Sequence, residues 1–190
     1  MPLDVSGAIQ AVWVTVGIVW AIGAFVTKTT KRMEAPGPRS VHIALVAAAF
    51  FLLFSTRARL GPLVWRFMPE SHASAYAGLA LTVAGAALAI WARVFLGGNW
   101  SSSVTIKENH KLVRTGPYAV VRHPIYSGFL LAMAGTAIAL GEARGLLALI
   151  LAFLAWRLKS RVEEGFMIEQ FGAEYEEYER QVKALIPFVL

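Results

Sequence analysis

The chain has 190 residues, 57% of them hydrophobic and 16% charged, with a net charge of +6. Average soluble domains carry about 25% charged residues, and here the charges cluster between long apolar runs, a membrane pattern and not that of one large soluble core. There is no cysteine, which excludes disulfides, thiolate metal sites and a cysteine nucleophile. The four histidines, His42, His72, His110 and His123, show no metal-ligand spacing. The positive balance is read as orientation and contact with anionic membrane lipid, with no nucleic-acid partner.

Five apolar segments follow in chain order. Val5 to Thr27 comes first; only Asp4 precedes it, so it lacks the basic leader of a signal peptide and reads as a retained helix. Ala35 to Pro38 marks a turn. Val41 to Thr56 is a shorter run containing His42, and Ser71 to Ala92 is long and rich in alanine and glycine. Pro124 to Gly141 is the fourth run. Gly145 to Trp156 is too short alone, but its helical pattern continues past Arg157. Only Glu142 to Arg144 separates the last two, which predicts an antiparallel helical hairpin. The expected fold is therefore all-α: a polytopic membrane protein with about five transmembrane helices. Residues 1–70 hold the first two, and residues 71–190 form a core with the other three.

Charge sets the expected orientation. With the Lys28 to Arg39 link on the cytoplasmic side, fourteen of the eighteen basic residues fall there; Arg57, Arg59, Arg66 and Arg144 fall on the other. The N-terminus is then outside and the C-terminal tail cytoplasmic. The Gly97 to His123 loop and the segment after Trp156 share the cytosolic side and can build one site.

Two clusters carry candidate chemistry. Pro124 suits the first position of a helix and keeps His123 out of the helical region. That helix start presents backbone N–H groups beside Arg122 and His123, suited to a carboxylate or phosphate; anchoring at the lipid headgroups is the alternative. The second cluster, Arg157 to Glu164, follows so short an apolar run that some of its charges fall at interfacial depth. Glu163 can pair with Lys159 at i,i+4 or hold a ligand amine; a salt-bridged helix end is the plain alternative. The tail from Gly165 to Leu190 reads as an amphipathic helix lying on the membrane or on the loop, its acidic face solvated.

Gly116-Pro-Tyr-x-x-x-Arg-His-Pro-x-Tyr-x-Gly128, then Glu163-Glu164, then Phe171-Gly-x-Glu-Tyr-x-x-Tyr178 and Ile186-Pro187 resemble, in order and spacing, the isoprenylcysteine carboxyl methyltransferase family. The related phospholipid methyltransferases look similar over the same stretch, roughly residues 95 to 190. The resemblance implies S-adenosylmethionine as cofactor. Its site would be cytosolic, built from the loop before helix 4 and the C-terminal helix. It would be held by His110, Lys111, Leu112 and Val113, by Tyr118, by His123, Pro124, Ile125 and Tyr126, and by Glu163. The family's substrate-contacting basic residue falls on Lys159 or Arg161, the gap-free count favouring Lys159. Lys159 and Arg157 are the substrate-binding candidates, and Arg161 and Glu164 the catalytic ones. The absence of a G-x-G-x-x-G loop agrees with a cofactor site unlike that of soluble nucleotide-binding folds. The expected reaction is methyl ester formation on a lipidic acceptor entering from the bilayer. A phospholipid amine N-methyltransferase, a membrane NADPH-dependent reductase and a non-catalytic scaffold are the alternatives.

Overall fold

A computed structural model describes residues 3–24, 30–33, 36–58, 60–97, 105–107 and 112–189. The helices are α1 (Leu3–Ala24), α2 (Pro36–Phe54), α3 (His72–Leu96), α4 (Pro124–Leu140), α5 (Ala143–Phe171) and α6 (Ala173–Gln181). Each of the five apolar runs has its own helix, the second running two residues past the end of α2, and residues 25–27 of the first lie outside the described residues. The turn signal at residues 35–38 instead opens α2 at Pro36, since proline fits the first turn, where its missing N–H costs nothing. Two short strands, β1 (Thr30–Met33) and β2 (Thr105–Lys107), pair antiparallel. This ribbon is a small addition to an otherwise helical fold, and it ties the α1–α2 link to the segment after α3.

Local sequence sets the helix ends. Ser71 caps α3 by accepting the Ser74 N–H at 3.1 Å. Pro124 starts α4, and Gly141 ends it in the left-handed region at φ 69°, where a side chain would be strained. One further residue, Glu142, leads into α5, so α4 and α5 form the expected hairpin. Helix α5 then runs unbroken for 29 residues through Gly165 to Phe171. The amphipathic tail helix is therefore only α6, which Gly172 at φ 52° separates from α5.

The closest helix contact is between α3 and α4. A Cβ on Gly85 would lie 2.3 Å from the Ala132 nitrogen, and one on Gly128 2.6 Å from the Ala89 nitrogen. Such small-residue crossings let backbones touch where no hydrophobic effect separates helix from solvent. Inside this seam the Thr82 and Thr136 hydroxyls lie 3.3 Å apart, and Trp13 of α1 donates to Thr136 at 3.1 Å. Helix α2 packs on α5, where Ala49, Leu53, Ala148, Ala152 and Trp156 share one buried cluster with Met133 of α4. The outward faces are apolar too: Val14, Ile18 and Ile22 on α1, and Leu147, Ile150, Leu154 and Leu158 on α5, are exposed rows at helical spacing. Rows of this kind suit lipid, not water. Two segments, Asp4–Gly23 and His72–Leu96, are each long and apolar enough to cross a bilayer; Arg39–Phe54 and Pro124–Leu140 are shorter apolar helices.

Candidate functional site

The start of α4 and the far part of α5 meet at one end of the bundle. The first twenty residues of α5 cover about 30 Å, a bilayer core, and Glu163 and Glu164 follow them. His123 precedes the first residue of α4 and is buried between the two carboxylates. Its Nδ1 lies 3.3 Å from Glu163 Oε2 and its Nε2 3.1 Å from Glu164 Oε1. Both ring nitrogens face carboxylate oxygens, a setting that favours the protonated ring. Burial alone would lower the His123 pKa, but its hydrogen bonds to Glu163 and Glu164 outweigh that and raise it. Burial likewise opposes charge on Glu164, yet hydrogen bonds from His123 and Arg122 prevail and hold its pKa below the ordinary carboxylate range.

The two glutamates have different surroundings. Glu164 is buried and receives Arg122 Nε at 2.9 Å and Nη2 at 2.6 Å, with Arg157 Nη1 at 4.0 Å. Glu163 stays 20% exposed and accepts the Tyr126 hydroxyl at 2.6 Å. The Tyr126 ring stacks on His123, 5.5 Å between centroids, and on Trp156 at 6.2 Å. Lys159 Nζ lies 6.0 Å from the Tyr126 ring centre.

The tail closes this end. Arg122 N donates to Lys183 O at 2.8 Å and His123 N to Ala184 O at 2.9 Å. Ser127 Oγ donates to Leu185 O at 2.5 Å. The Arg122 guanidinium also reaches Glu179 Oε1 at 3.1 Å and the carbonyls of Glu179 and Val182. Tyr178 donates to Tyr118 O at 2.5 Å, and Tyr118 to Ala92 O at 3.4 Å. Tyr175 and Tyr178 are buried, so α6 lies on the loop, one of the two supports expected for it. Its Glu177–Arg180 pair is exposed and contributes little; the buried tyrosines hold the helix.

Of the residues expected here, Tyr118, His123, Pro124, Ile125, Tyr126 and Glu163 gather at this end, with Arg157, Lys159 and Glu164 beside them. Leu112 and Val113 lie half-buried in the loop leading in, Val113 packing near Tyr118 and Ile125. His110 and Lys111 lie outside the described residues. Arg161 does not join the cluster. It is exposed, because two residues on a helix turn about 200°, away from the side on which Glu163 meets His123. Arg122 was expected beside a carboxylate, but that this would be Glu164 was not; two participants were not singled out at all, Glu179 on the α6 face expected to be solvated and the carbonyl-bearing strap after Gln181. Arg122 stood in the Arg-His-Pro motif and was findable; the strap has no side-chain signal, since it acts through its backbone.

Residues 78–169 match the isoprenylcysteine carboxyl methyltransferase (ICMT) family. A probable protein-S-isoprenylcysteine O-methyltransferase of Oryza sativa subsp. indica is 35% identical over 119 residues, 60% of this chain and 61% of that protein. The protein-S-isoprenylcysteine O-methyltransferase of Saccharomyces cerevisiae is 41% identical over 98 residues, 49% of this chain and 40% of its own length. This chain thus aligns with less than two thirds of either relative. Among solved structures it is similar to the eukaryotic intramembrane Ras methyltransferase ICMT, with a TM-score of 0.51 and 24% identity over 82% of this chain and 55% of that one. At that identity the likeness is one of fold.

Proposed function

We propose that this chain, which belongs to the isoprenylcysteine carboxyl methyltransferase family through residues 78–169, is a membrane methyltransferase that uses S-adenosylmethionine to esterify a lipid-borne carboxylate. The carboxyl group of an isoprenylated cysteine is the first acceptor to test, since the rice and yeast relatives are named for it. The observation that carries this reading is the single imidazole ring of His123 shared by Glu163 and Glu164. It joins the Arg-His-Pro helix start to the glutamate pair, two motifs forty residues apart in the chain.

The residues present suit a cofactor with an ammonium group. Glu163 is the partly exposed carboxylate of the pair, held in place by Tyr126 and His123, whereas Glu164 is enclosed by Arg122. Glu163, Tyr126 and the Leu112–Val113 loop would therefore hold S-adenosylmethionine, with His110 and Lys111 as the remaining family positions. When bound, that cofactor supplies an electrophilic methyl group on a sulfonium. Lys159 and Arg157, on the same stretch of α5, would bring the acceptor carboxylate in. Alignment and exclusion of water are the protein's main tasks in such a displacement. Glu164 is a positioning residue: it fixes Arg122 and His123 and so the frame around Glu163.

The same geometry favours a carboxylate acceptor over an amine. An amine benefits from a base, but Glu164 is engaged by Arg122 and both ring nitrogens of His123 are engaged by the glutamates. A carboxylate is a nucleophile as it stands. We propose that α1 to α5 all span the bilayer, with the N-terminus outside and the site cytosolic. Residues 71–190 would be the catalytic core, and residues 1–70 would supply two further helices. The lipid tail of the acceptor enters between helices from the bilayer.

The test is incubation of purified protein with methyl-labelled S-adenosylmethionine and an isoprenylated cysteine, with a membrane lipid extract alongside. Base-labile label on the prenylcysteine supports the reading. Label only on a phospholipid amine, or none in either sample, overturns it.

A further inference from the structure

The opposite end of the bundle holds a second built site. Helix α4 carries about 25 Å of chain from Pro124 to Leu140, and beside its far end a cavity of about 220 Å³ opens between α1, α2, α4 and α5. One water occupies about 30 Å³, so the space takes several waters or a small chemical group. Its lining is divided. Ser6, Gln10, Thr136 and Arg144 are polar, and Leu53 and Leu140 are apolar.

Arg144 decides what fits. Its side chain is only 7% exposed. Nε donates to Glu142 Oε2 at 2.6 Å, and Nη1 donates to the carbonyls of Leu52 and Ser55, each at 3.0 Å. Nη2 donates to none of the described residues, although the residue lines the cavity. The guanidinium lines the cavity with that donor uncommitted, and arginine is suited to phosphate oxygens in particular. The occupant therefore offers oxygen acceptors at one end and tolerates leucine at the other. Val14, one turn beyond Gln10 on α1, and Phe51 on α2 are exposed, so apolar chains leaving the cavity would lie on lipid-facing helix surface. We infer that this cavity is a phospholipid site: a phosphate oxygen accepts from Arg144 Nη2, and the acyl chains run down the outer faces of α1 and α2. This rests on the membrane reading of the chain and is independent of methyl transfer.

The test reads thermal unfolding in detergent by intrinsic tryptophan fluorescence. Wild type is compared with Arg144→Lys and Ser6→Phe; the latter fills the cavity without touching the bonds of Arg144. Three probes are added separately: dioleoylphosphatidylglycerol, the matching diacylglycerol, and inorganic phosphate. Phosphatidylglycerol at about 100-fold excess over its Kd should raise the wild-type Tm by roughly 5–10 °C, while diacylglycerol and phosphate should not. Ser6→Phe should lose the shift, as should Arg144→Lys if it folds. Glu163→Gln, at the other end, should keep it; its loss there would assign the lipid to the candidate active site and overturn the proposal. An equal shift with inorganic phosphate would mean a free-anion site, and one with diacylglycerol a site that does not read phosphate. A shift that survives in folded Ser6→Phe would place the lipid elsewhere. Each of these results overturns the inference.

Discussion

Glu163 and Glu164 are sequence neighbours with different surroundings, because successive helical residues point about 100° apart. Glu163 keeps one-fifth of its side chain open. Replacing it with glutamine should weaken S-adenosylhomocysteine binding by about 10- to 100-fold, the value of one charge-assisted hydrogen bond of roughly 1.5–3 kcal/mol. Calorimetry would show it, and unchanged affinity would remove Glu163 from the site. Glu164 is enclosed with Arg122, so Arg122→Ala should cost stability, about 3–5 kcal/mol for a buried charge left unpaired, read as a lower unfolding midpoint. His123 sets a pH window. Its raised pKa contributes stability that is present below the ordinary imidazole range and lost as pH rises through the folded value. The lowered pKa of Glu164 contributes stability that is present above the ordinary carboxylate range and lost as pH falls through the folded value. The contribution of the cluster should therefore be largest at roughly pH 4.5 to 6.5. A Tm that is flat up to pH 9 in wild type, or that declines identically in His123→Ala, would refute this.

At the scale of elements, the α3–α4 seam depends on having no side chains. Gly85→Val would place a Cβ within 2.3 Å of the Ala132 nitrogen, and neither backbone can yield without separating the helices. The variant should lose about 1–3 kcal/mol or more, while Gly7→Val on α1, where nothing lies within 4 Å, should cost far less. Comparable unfolding midpoints for the two variants would contradict the seam. The five long helices were legible in the amino-acid sequence because apolar length is a coarse signal that survives any packing. The end of α5 was not. Gly165 and the charges around it look like an exit from a helix, yet tertiary contacts with α6 and the Arg122 loop carry the helix to Phe171. The pairing of β1 with β2 was also illegible, since seven strand residues far apart in the chain leave no periodicity to read. Within the site, motif spacing brought His123 and the glutamates together on the page. It could not say which glutamate faces inward or that Arg161 faces out, because that depends on how α5 is rotated against α4.

For the whole molecule, orientation and site are one question. The ribbon joins residues 30–33 to residues 105–107, the two segments that the charge distribution assigns to the cytosol. Reporter fusions at residue 35 and after residue 190 should both report the cytoplasm; an extracytoplasmic report from either would invert the proposed access of cofactor and acceptor. The strap after Gln181 has a further consequence in time. It carries the carbonyls that receive Arg122, His123 and Ser127, and it leaves the ribosome after α1 to α5 have been made. Chains are synthesised at about 5–20 residues per second, so the membrane helices can be inserted and paired before the piece that closes their cytosolic end exists. A chain stopped at Gln181 should therefore reach the membrane with the α3–α4 seam intact and the backbone N–H groups of Arg122 and His123 unlatched, so that insertion and completion of the site are separate events in the life of one polypeptide.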